Sequence, residues 1–195
     1  MDDYGHGTVN LQYSREKLLH LFKEYAFKKG EFPLSSGKVS SYYFNSKSLT
    51  LLPEGAFLVA KAVMEKIKGL EVDAVGGAAL GAAPIAGSLA VVSFLEGSQN
   101  QITFFIDRKE KKEHGDRKRI EGPELKEGAK IVIVEDVTTT GSSAIGTAKE
   151  LREQGHTIVK VISLLDREEG AQELFSREGI PFDPILKIDE IMDRA

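Results

Sequence analysis

Short apolar segments alternate with helix-like segments along the chain after residue 70, and this order constrains the fold more than any other feature. The strand-like segments lack a strict apolar–polar alternation, which indicates strands that are buried on both faces. A repeated strand–helix order predicts an α/β fold with a central, mostly parallel sheet flanked by helices. The predicted strands are 72–75, 102–106, 131–134, 157–165 and 185–188, and the predicted helices are 84–94, 142–154 and 168–177.

The first 70 residues predict three further elements. Apolar residues recur at helical spacing from Ser14 onward, and Gly30 is expected to end that helix. Aromatic residues among Ser and Lys over 39–50 predict a strand or hairpin, and a second helix is expected over 53–69. Because the chain has 195 residues and neither a linker nor an internal repeat, we expect a single domain over 1–195.

Composition excludes several classes of protein. The chain has 26 basic and 30 acidic residues, which argues against sequence-independent nucleic-acid binding. It has no Cys, which excludes disulfides, thiolate metal sites and a Cys nucleophile. The polar, acidic start predicts a cytoplasmic protein. Residues 74–95 carry no charge and are long enough to span a membrane, but four glycines and Pro84 favour a strand, a turn and a buried helix.

The interval 107–121 fits neither helix nor strand. It has seven basic and five acidic residues and a single aliphatic residue, Ile120. Without an apolar face to bury, it is expected to be an exposed, mobile loop, and a solvated charge run without function is the alternative. The rest of the chain keeps 19 of the 26 basic and 25 of the 30 acidic residues, so positive charge is concentrated in this interval.

The segment 131–143 is the most informative about chemistry. A buried strand leads to Glu135 and Asp136, then to a hydroxyl-rich turn around Gly141, and then to a helix. Ligands of open α/β sheets bind beyond the carboxyl ends of strands, so both acids are expected at a site. The amides of the turn can bind a phosphate, while the carboxylates suit sugar hydroxyls, a divalent cation or a positive charge that develops in the transition state. A phosphorylated sugar meets these conditions, and the alternative is a strand end whose acids cap the next helix.

The string VIVEDVTTTGSS, at residues 132–143, resembles the phosphoribosyl-pyrophosphate (PRPP) motif of type I phosphoribosyltransferases. The resemblance implies the fold of that family, with a small N-terminal hood from about 1–50 and a mobile loop at about 107–121. It also implies that Glu135 and Asp136 act in catalysis, by holding the ribose hydroxyls and favouring positive charge. The implied PRPP-binding residues of the turn are Val137, Thr138, Thr139, Thr140, Gly141, Ser142 and Ser143.

Three further segments resemble the orotate phosphoribosyltransferases within that family. They are 34–44, where the aromatics of the motif line the orotate pocket, 108–115, the mobile loop, and 166–170, whose Arg pairs with orotate. The resemblance implies transfer of the phosphoribosyl group from PRPP to orotate, with Mg²⁺ and a homodimer that shares loop residues. It assigns pyrophosphate contacts to Arg108, Lys109, Lys112 and His114, with Lys112 the most important for rate, and orotate contacts to Tyr43, Phe44, Thr139 and Arg167.

The chemistry of orotate, a planar anion, agrees with these residue types. Arg167 can bind its carboxylate with two hydrogen bonds, and Tyr43 or Phe44 can line its ring. The alternatives are an ordinary surface ion pair for Arg167 and strand core for the aromatics.

Three positions depart from the family pattern. Some members carry a Lys where this chain has Ser35, and a Tyr-Lys pair where it has Leu80 and Gly81, so those PRPP contacts are not carried over. Gly81 is expected instead to allow close approach of the backbone to pyrophosphate. Three other functions stay open: a phosphoribosyltransferase for a purine or uracil, a PRPP-sensing regulator without turnover, and a pyrimidine-binding chaperone-like module.

Overall fold

The computed structural model describes residues 14–33, 39–97, 102–108 and 119–192. Within them the strands are β1 (Phe27–Pro33), β2 (Val39–Phe44), β3 (Ala74–Ala78), β4 (Thr103–Asp107), β5 (Ile120–Glu121), β6 (Lys130–Thr138), β7 (Thr157–Asp166) and β8 (Leu186–Lys187). The helices are α1 (Arg15–Leu21), α2 (Lys47–Thr50), α3 (Pro53–Ile67), α4 (Ala82–Leu95), α5 (Ser142–Glu153), α6 (Ala171–Arg177) and α7 (Ile188–Met192).

The described part of the chain builds a six-stranded sheet in the order β5-β4-β3-β6-β7-β8. Neighbouring strands are parallel except at the β4–β5 edge. Side chains alternate between the two faces of a strand, so Val132 and Val134 of β6 join a core with α1, α3 and α4, while Ile131 and Ile133 join a core with α5 and α6. The predicted mostly parallel sheet, covered by helices on both faces, is confirmed.

The N-terminal residues form a small unit in which an antiparallel hairpin, β1 with β2, is separate from the main sheet. The strand or hairpin predicted over 39–50 is present as a strand over Val39–Phe44, whose partner β1 lies earlier in the chain. The prediction is wrong for Lys47–Thr50, which form the short helix α2. The prediction of a helix as far as Gly30 is wrong, because the helix passes into a π-helical turn, Phe22–Ala26, and Phe27 then begins β1. Phe27 stacks on Phe44 of β2 with ring centroids 5.4 Å apart, and this tertiary contact outweighs the local helical spacing.

The interval 107–121 belongs to the sheet at both of its ends. Asp107 is the last residue of β4 and is completely buried, and Ile120 pairs with it from β5. The prediction of an exposed loop is therefore wrong for these end residues. The part of the predicted loop at 109–118 lies outside the described residues.

Two further boundaries differ from the sequence predictions. β6 continues to Thr138, so Glu135 and Asp136 stand within the strand rather than after it. α7 follows β8 directly and was not predicted. The uncharged stretch 74–95 forms β3, a turn and α4, and no helix among the described residues has the length and apolarity needed to cross a membrane.

Candidate active site

The turn between β6 and α5 surrounds a small cleft of about 130 Å³. Gly141 begins the helix with a positive φ of 84°, and a Cβ at that position would lie 2.9 Å from the ring of Phe175. Both observations require a glycine there. The cleft is lined by Glu135, Val137, Thr138, Thr139, Thr140, Gly141, Ser142, Ser143 and Ala144, so the structure gathers the predicted residues of the turn in one place.

Neutral hydrogen-bonding groups dominate this cleft. The hydroxyls of Thr140 and Ser142 lie 2.9 Å apart, and the Thr138 hydroxyl is buried without a hydrogen-bond partner among the described residues. A buried hydroxyl without a partner has a free-energy cost, which a bound acceptor would remove. The cleft therefore suits an anion that is bound by hydroxyls and amides at the start of a helix.

The two adjacent acids of β6 point to opposite faces of the sheet, as successive strand residues do. Glu135 lines the cleft on the α5 face and is only 7% exposed. Asp136 lies on the other face, where its carboxylate accepts hydrogen bonds from the Ser46 hydroxyl and, at 2.9 Å, from the Val137 amide. The sequence motif suggested one acidic pair, whereas the structure gives the two carboxylates separate surroundings.

Asp136 also has two neighbours that are distant in sequence. Lys47 Nζ lies 3.9 Å from Asp136 Oδ2. A Cβ on Gly81 would lie 2.2 Å from Asp136 Oδ1, so the carboxylate occupies the space that a side chain at position 81 would need. This contact explains the glycine at position 81 independently of any approach to pyrophosphate.

Arg167, just after β7, meets an aromatic residue that the sequence analysis did not select. Its Nη2 donates to the Tyr42 hydroxyl at 3.4 Å, and its guanidinium carbon lies 5.4 Å from the centre of the Tyr42 ring. It also pairs with Glu169 at 2.8 Å, while its Nε is buried without a partner among the described residues. A planar anion could accept a hydrogen bond from that Nε.

Tyr43, which the sequence analysis placed in the orotate pocket, lies on the opposite face of β2 from Tyr42. It is 46% exposed and packs on Phe32 of β1. Phe44 shares the Tyr42 face, with the two ring centroids 5.1 Å apart. The twofold periodicity of a strand was the available signal, since it places Tyr42 and Phe44 together and Tyr43 apart from them.

An ion pair between the buried Asp107 and the partly exposed Arg119 joins the two ends of the charged interval. Asp107 accepts two hydrogen bonds from Arg119, at 2.5 and 2.8 Å, and a third from the Thr147 hydroxyl of α5 at 2.5 Å. The hydrogen bonds to Asp107 raise the pKa of the Arg119 guanidinium above its ordinary value. Arg108 donates its amide to the Arg119 carbonyl at 2.9 Å and its side chain pairs with Glu121 at 2.8 Å. The two ends of the interval are thus joined to each other and to α5.

The predicted pyrophosphate ligands lie in this interval. Arg108 is described, whereas Lys109, Lys112 and His114 lie outside the described residues.

Another strand-end acid, Asp166 of β7, accepts a hydrogen bond from the Glu168 amide at 2.9 Å. Burial raises the pKa of the Asp166 carboxyl, against the lowering effect of that amide. The Arg167 amide donates to the Thr138 carbonyl at 2.9 Å, so the ends of β6 and β7 are fixed side by side.

Comparison with known proteins gives a consistent family. Residues 46–178 match the model of the phosphoribosyl transferase domain. The chain is 44% identical to the orotate phosphoribosyltransferase of Rhodopseudomonas palustris (strain BisB18), over 92% of this chain and 96% of that protein. It is 43% identical to the orotate phosphoribosyltransferase of Aquifex aeolicus, over 93% of this chain and 100% of that protein. Among solved structures, it is similar to the Mycobacterium tuberculosis orotate phosphoribosyltransferase in complex with PRPP, with a TM-score of 0.75, 28% identity, and coverage of 91% of this chain and 98% of that one.

Proposed function

The chain belongs to the orotate phosphoribosyltransferase family, and from that premise we propose how its residues carry out the reaction. The reaction transfers the phosphoribosyl group of PRPP to orotate and gives orotidine 5′-monophosphate and pyrophosphate, a step of UMP biosynthesis. A ring nitrogen of orotate loses its proton, which passes to the departing pyrophosphate or to water, and forms a bond with the anomeric carbon of the ribose. The bond from that carbon to the pyrophosphate oxygen breaks, and pyrophosphate leaves.

The observation that carries this assignment is the cleft at the end of β6, which joins neutral phosphate ligands to a carboxylate. We assign the 5-phosphate of PRPP to the amides and hydroxyls of the turn, including the unpartnered Thr138 hydroxyl. We assign the ribose hydroxyls to Glu135, which lines the cleft, and to Asp136, which lies on the other face of β6. The same carboxylates favour the positive charge that develops on the ribose as pyrophosphate departs.

We assign the orotate carboxylate to Arg167, whose buried Nε has no partner among the described residues. Tyr42 lies against the guanidinium and would form the wall of the pocket, with Phe44 packed beside it. This assignment replaces Tyr43 by Tyr42 in the orotate site and keeps Phe44. Thr139, from the turn, is retained as a further orotate contact, since it lines the same end of the sheet.

We propose that Arg108, Lys109, Lys112 and His114 neutralise pyrophosphate as it departs. Support comes from the anchored base of the interval, where Asp107 and Arg119 hold both ends beside α5, the helix that follows the phosphate turn. Lys112→Ala is expected to lower kcat by about a hundredfold or more and to leave the free energy of unfolding nearly unchanged. Unchanged turnover at saturating substrate would contradict a role for Lys112.

Mg²⁺ is proposed as the metal of the reaction. No group of three His, Cys, Asp or Glu side chains able to hold an ion occurs among the residues that the structure describes. A donor set of substrate oxygens and water fits Mg²⁺, which keeps several waters and binds through phosphates. The ion would reduce the negative charge of the pyrophosphate.

A homodimer is also proposed, with loop residues shared across its interface. Its support is the uncovered apolar side of α4, where Val91, Phe94 and Leu95 are 60%, 84% and 69% exposed. Light scattering of the wild type and of Phe94→Glu checks it, with a dimer expected for the first and a monomer for the second. Cytoplasmic location stays a prediction of the sequence.

The proposal is tested by offering the protein PRPP, Mg²⁺ and one base at a time. Orotate should be consumed, whereas uracil, hypoxanthine and adenine should not, because they lack the carboxylate that Arg167 would bind. Arg167→Ala should lower kcat/KM for orotate by about a hundredfold, since it removes a charged, paired hydrogen bond to the substrate. Turnover of a purine or of uracil at the rate seen with orotate would contradict the assignment.

A further inference from the structure

We infer that Lys47, which lies beside the Asp136 carboxylate, binds the pyrophosphate group of PRPP. The inference rests on the proposed function, since it takes PRPP as the substrate.

Position 81 cannot hold a lysine in this chain without moving a carboxylate of the site. A Cβ there would lie 2.2 Å from Asp136 Oδ1 and 2.4 Å from the carboxyl carbon, both far inside van der Waals contact. Asp136 is itself fixed by the Ser46 hydroxyl and the Val137 amide. A cation beside Asp136 therefore has to come from another element of the chain.

Lys47 comes from the N-terminal unit and reaches the same carboxylate. Its Nζ lies 3.9 Å from Asp136 Oδ2, on the carboxylate that Gly81 also contacts. The preceding residue, Ser46, is 3% exposed and donates to Asp136, which fixes the backbone of Lys47 beside the site. Lys47 and Gly81 thus flank one carboxylate, although 34 positions separate them in the sequence.

The pairing of Lys47 with Asp136 is weak enough to be exchanged. The Lys47 side chain is 48% exposed, and 3.9 Å is at the long limit of an ion pair, so its free energy is small. When the ribose hydroxyls of PRPP occupy Asp136, the ammonium group can turn to the pyrophosphate, which carries several negative charges. In this description Lys47 is a substrate-binding residue that Asp136 holds in place before PRPP arrives.

The test distinguishes binding of the pyrophosphate group of PRPP from binding of its ribose 5-phosphate part. Calorimetry with Mg²⁺ present would measure binding of PRPP, of pyrophosphate and of ribose 5-phosphate to the wild type, Lys47→Ala and Lys47→Arg. The matched control is Lys130→Ala. Lys130 is 47% exposed and forms an ion pair with Glu71, so it resembles Lys47 in exposure and pairing. It is the first residue of β6, whereas Asp136 lies near the other end of that strand.

Lys47→Ala is expected to weaken PRPP and pyrophosphate about tenfold to a hundredfold and to leave ribose 5-phosphate within about twofold. Lys47→Arg should recover most of the loss, and Lys130→Ala should change none of the three affinities. Equal weakening of ribose 5-phosphate would overturn the inference, since Lys47 would then act only through Asp136. Unchanged pyrophosphate binding would overturn it as well. Turnover of orotate by the wild type distinguishes failure of this inference from failure of the proposed function.

Discussion

Asp107 and Asp136 both stand at or near the carboxyl ends of parallel strands, yet their surroundings differ sharply. Asp107 is completely buried, and Arg119 and Thr147 together donate three hydrogen bonds to it. The side chain of Asp136 is 16% exposed and is held by a hydroxyl, an amide and a lysine amine 3.9 Å away. Position at a strand end is therefore not enough to identify a substrate-binding carboxylate.

The difference lies in how fully the protein itself satisfies each carboxylate. The pairing of Asp107 with Arg119 uses both of its oxygens and ties β4 to the residue before β5 and to α5. Asp136 is held in place by Ser46 and Val137, but its pairing with Lys47 is weak enough for a sugar hydroxyl to replace it. We therefore expect Asp107 to matter for folding and Asp136 for the reaction.

The largest effect is expected for Asp107→Ala, which should lower the free energy of unfolding by about 3–5 kcal/mol, because it leaves the Arg119 guanidinium without its buried partner. Urea denaturation measures it. Glu121→Gln, which removes the carboxylate charge from the exposed pair with Arg108, is the control and should cost less than about 1 kcal/mol. A loss below 1 kcal/mol for Asp107→Ala would remove the distinction between the two aspartates.

Asp136→Asn is expected to lower kcat/KM about a hundredfold to a thousandfold, which corresponds to roughly 3–4 kcal/mol of transition-state stabilisation. Its free energy of unfolding should stay within about 1 kcal/mol of the wild type, because asparagine keeps an oxygen that can accept from the Val137 amide and loses only the charge of the weak pair with Lys47. Steady-state kinetics and urea denaturation of the same preparation give both values. A variant that unfolds readily but keeps its activity would reverse the assignment.

Gly81→Ala tests whether the Asp136 carboxylate must stay where it is. The new methyl group would overlap that carboxylate, and we expect a cost of about 1–3 kcal/mol in stability together with a lower affinity for PRPP. Gly87→Ala is the matched control, because a Cβ at Gly87 in α4 meets nothing within 4 Å. The control should be neutral or more stable, since alanine favours a helix interior. Equal behaviour of the two variants would contradict the close approach at Gly81.

Tyr42→Phe should raise KM for orotate about twofold to tenfold, because it removes the hydroxyl that accepts a hydrogen bond from Arg167 and keeps the ring. Tyr43→Phe should leave KM unchanged, since Tyr43 lies on the other face of β2. A raised KM in Tyr43→Phe with an unchanged KM in Tyr42→Phe would show that Tyr43, and not Tyr42, contacts orotate.

The smallest effect concerns Asp166, the third strand-end aspartate. Burial raises the pKa of its carboxyl, so the native state holds this proton at pH values where the unfolded state has lost it. Stability from this group is complete below the ordinary aspartate pKa of about 3.9 and is lost as pH rises through the raised pKa. Urea midpoints measured against pH should show this decline, and Asp166→Asn should remove it. An unchanged pH profile in Asp166→Asn would contradict the raised pKa.

Local patterns predicted most of the fold because the strands are apolar on both faces and the helices follow them in regular order. They failed where distant contacts decide the structure. Phe27 begins a strand because it packs against Phe44 of β2. Asp107 is buried, although it belongs to the charged interval, because Arg119 forms an ion pair with it. The motif predicted the residues of the phosphate turn, since these are contiguous. The neighbours of Asp136, namely Ser46, Lys47 and Gly81, come from other elements and leave no joint sequence signal.

The central claim is that this site transfers a phosphoribosyl group to orotate, with Asp136 as a working carboxylate. The most direct measurement quantifies orotidine 5′-monophosphate and pyrophosphate together after mixing the protein with PRPP, Mg²⁺ and orotate. We expect the two products in equal amounts from the wild type, and a rate reduced about a hundredfold or more in folded Asp136→Asn. Tight binding of PRPP without formation of either product would contradict the claim and would indicate a regulator that senses PRPP.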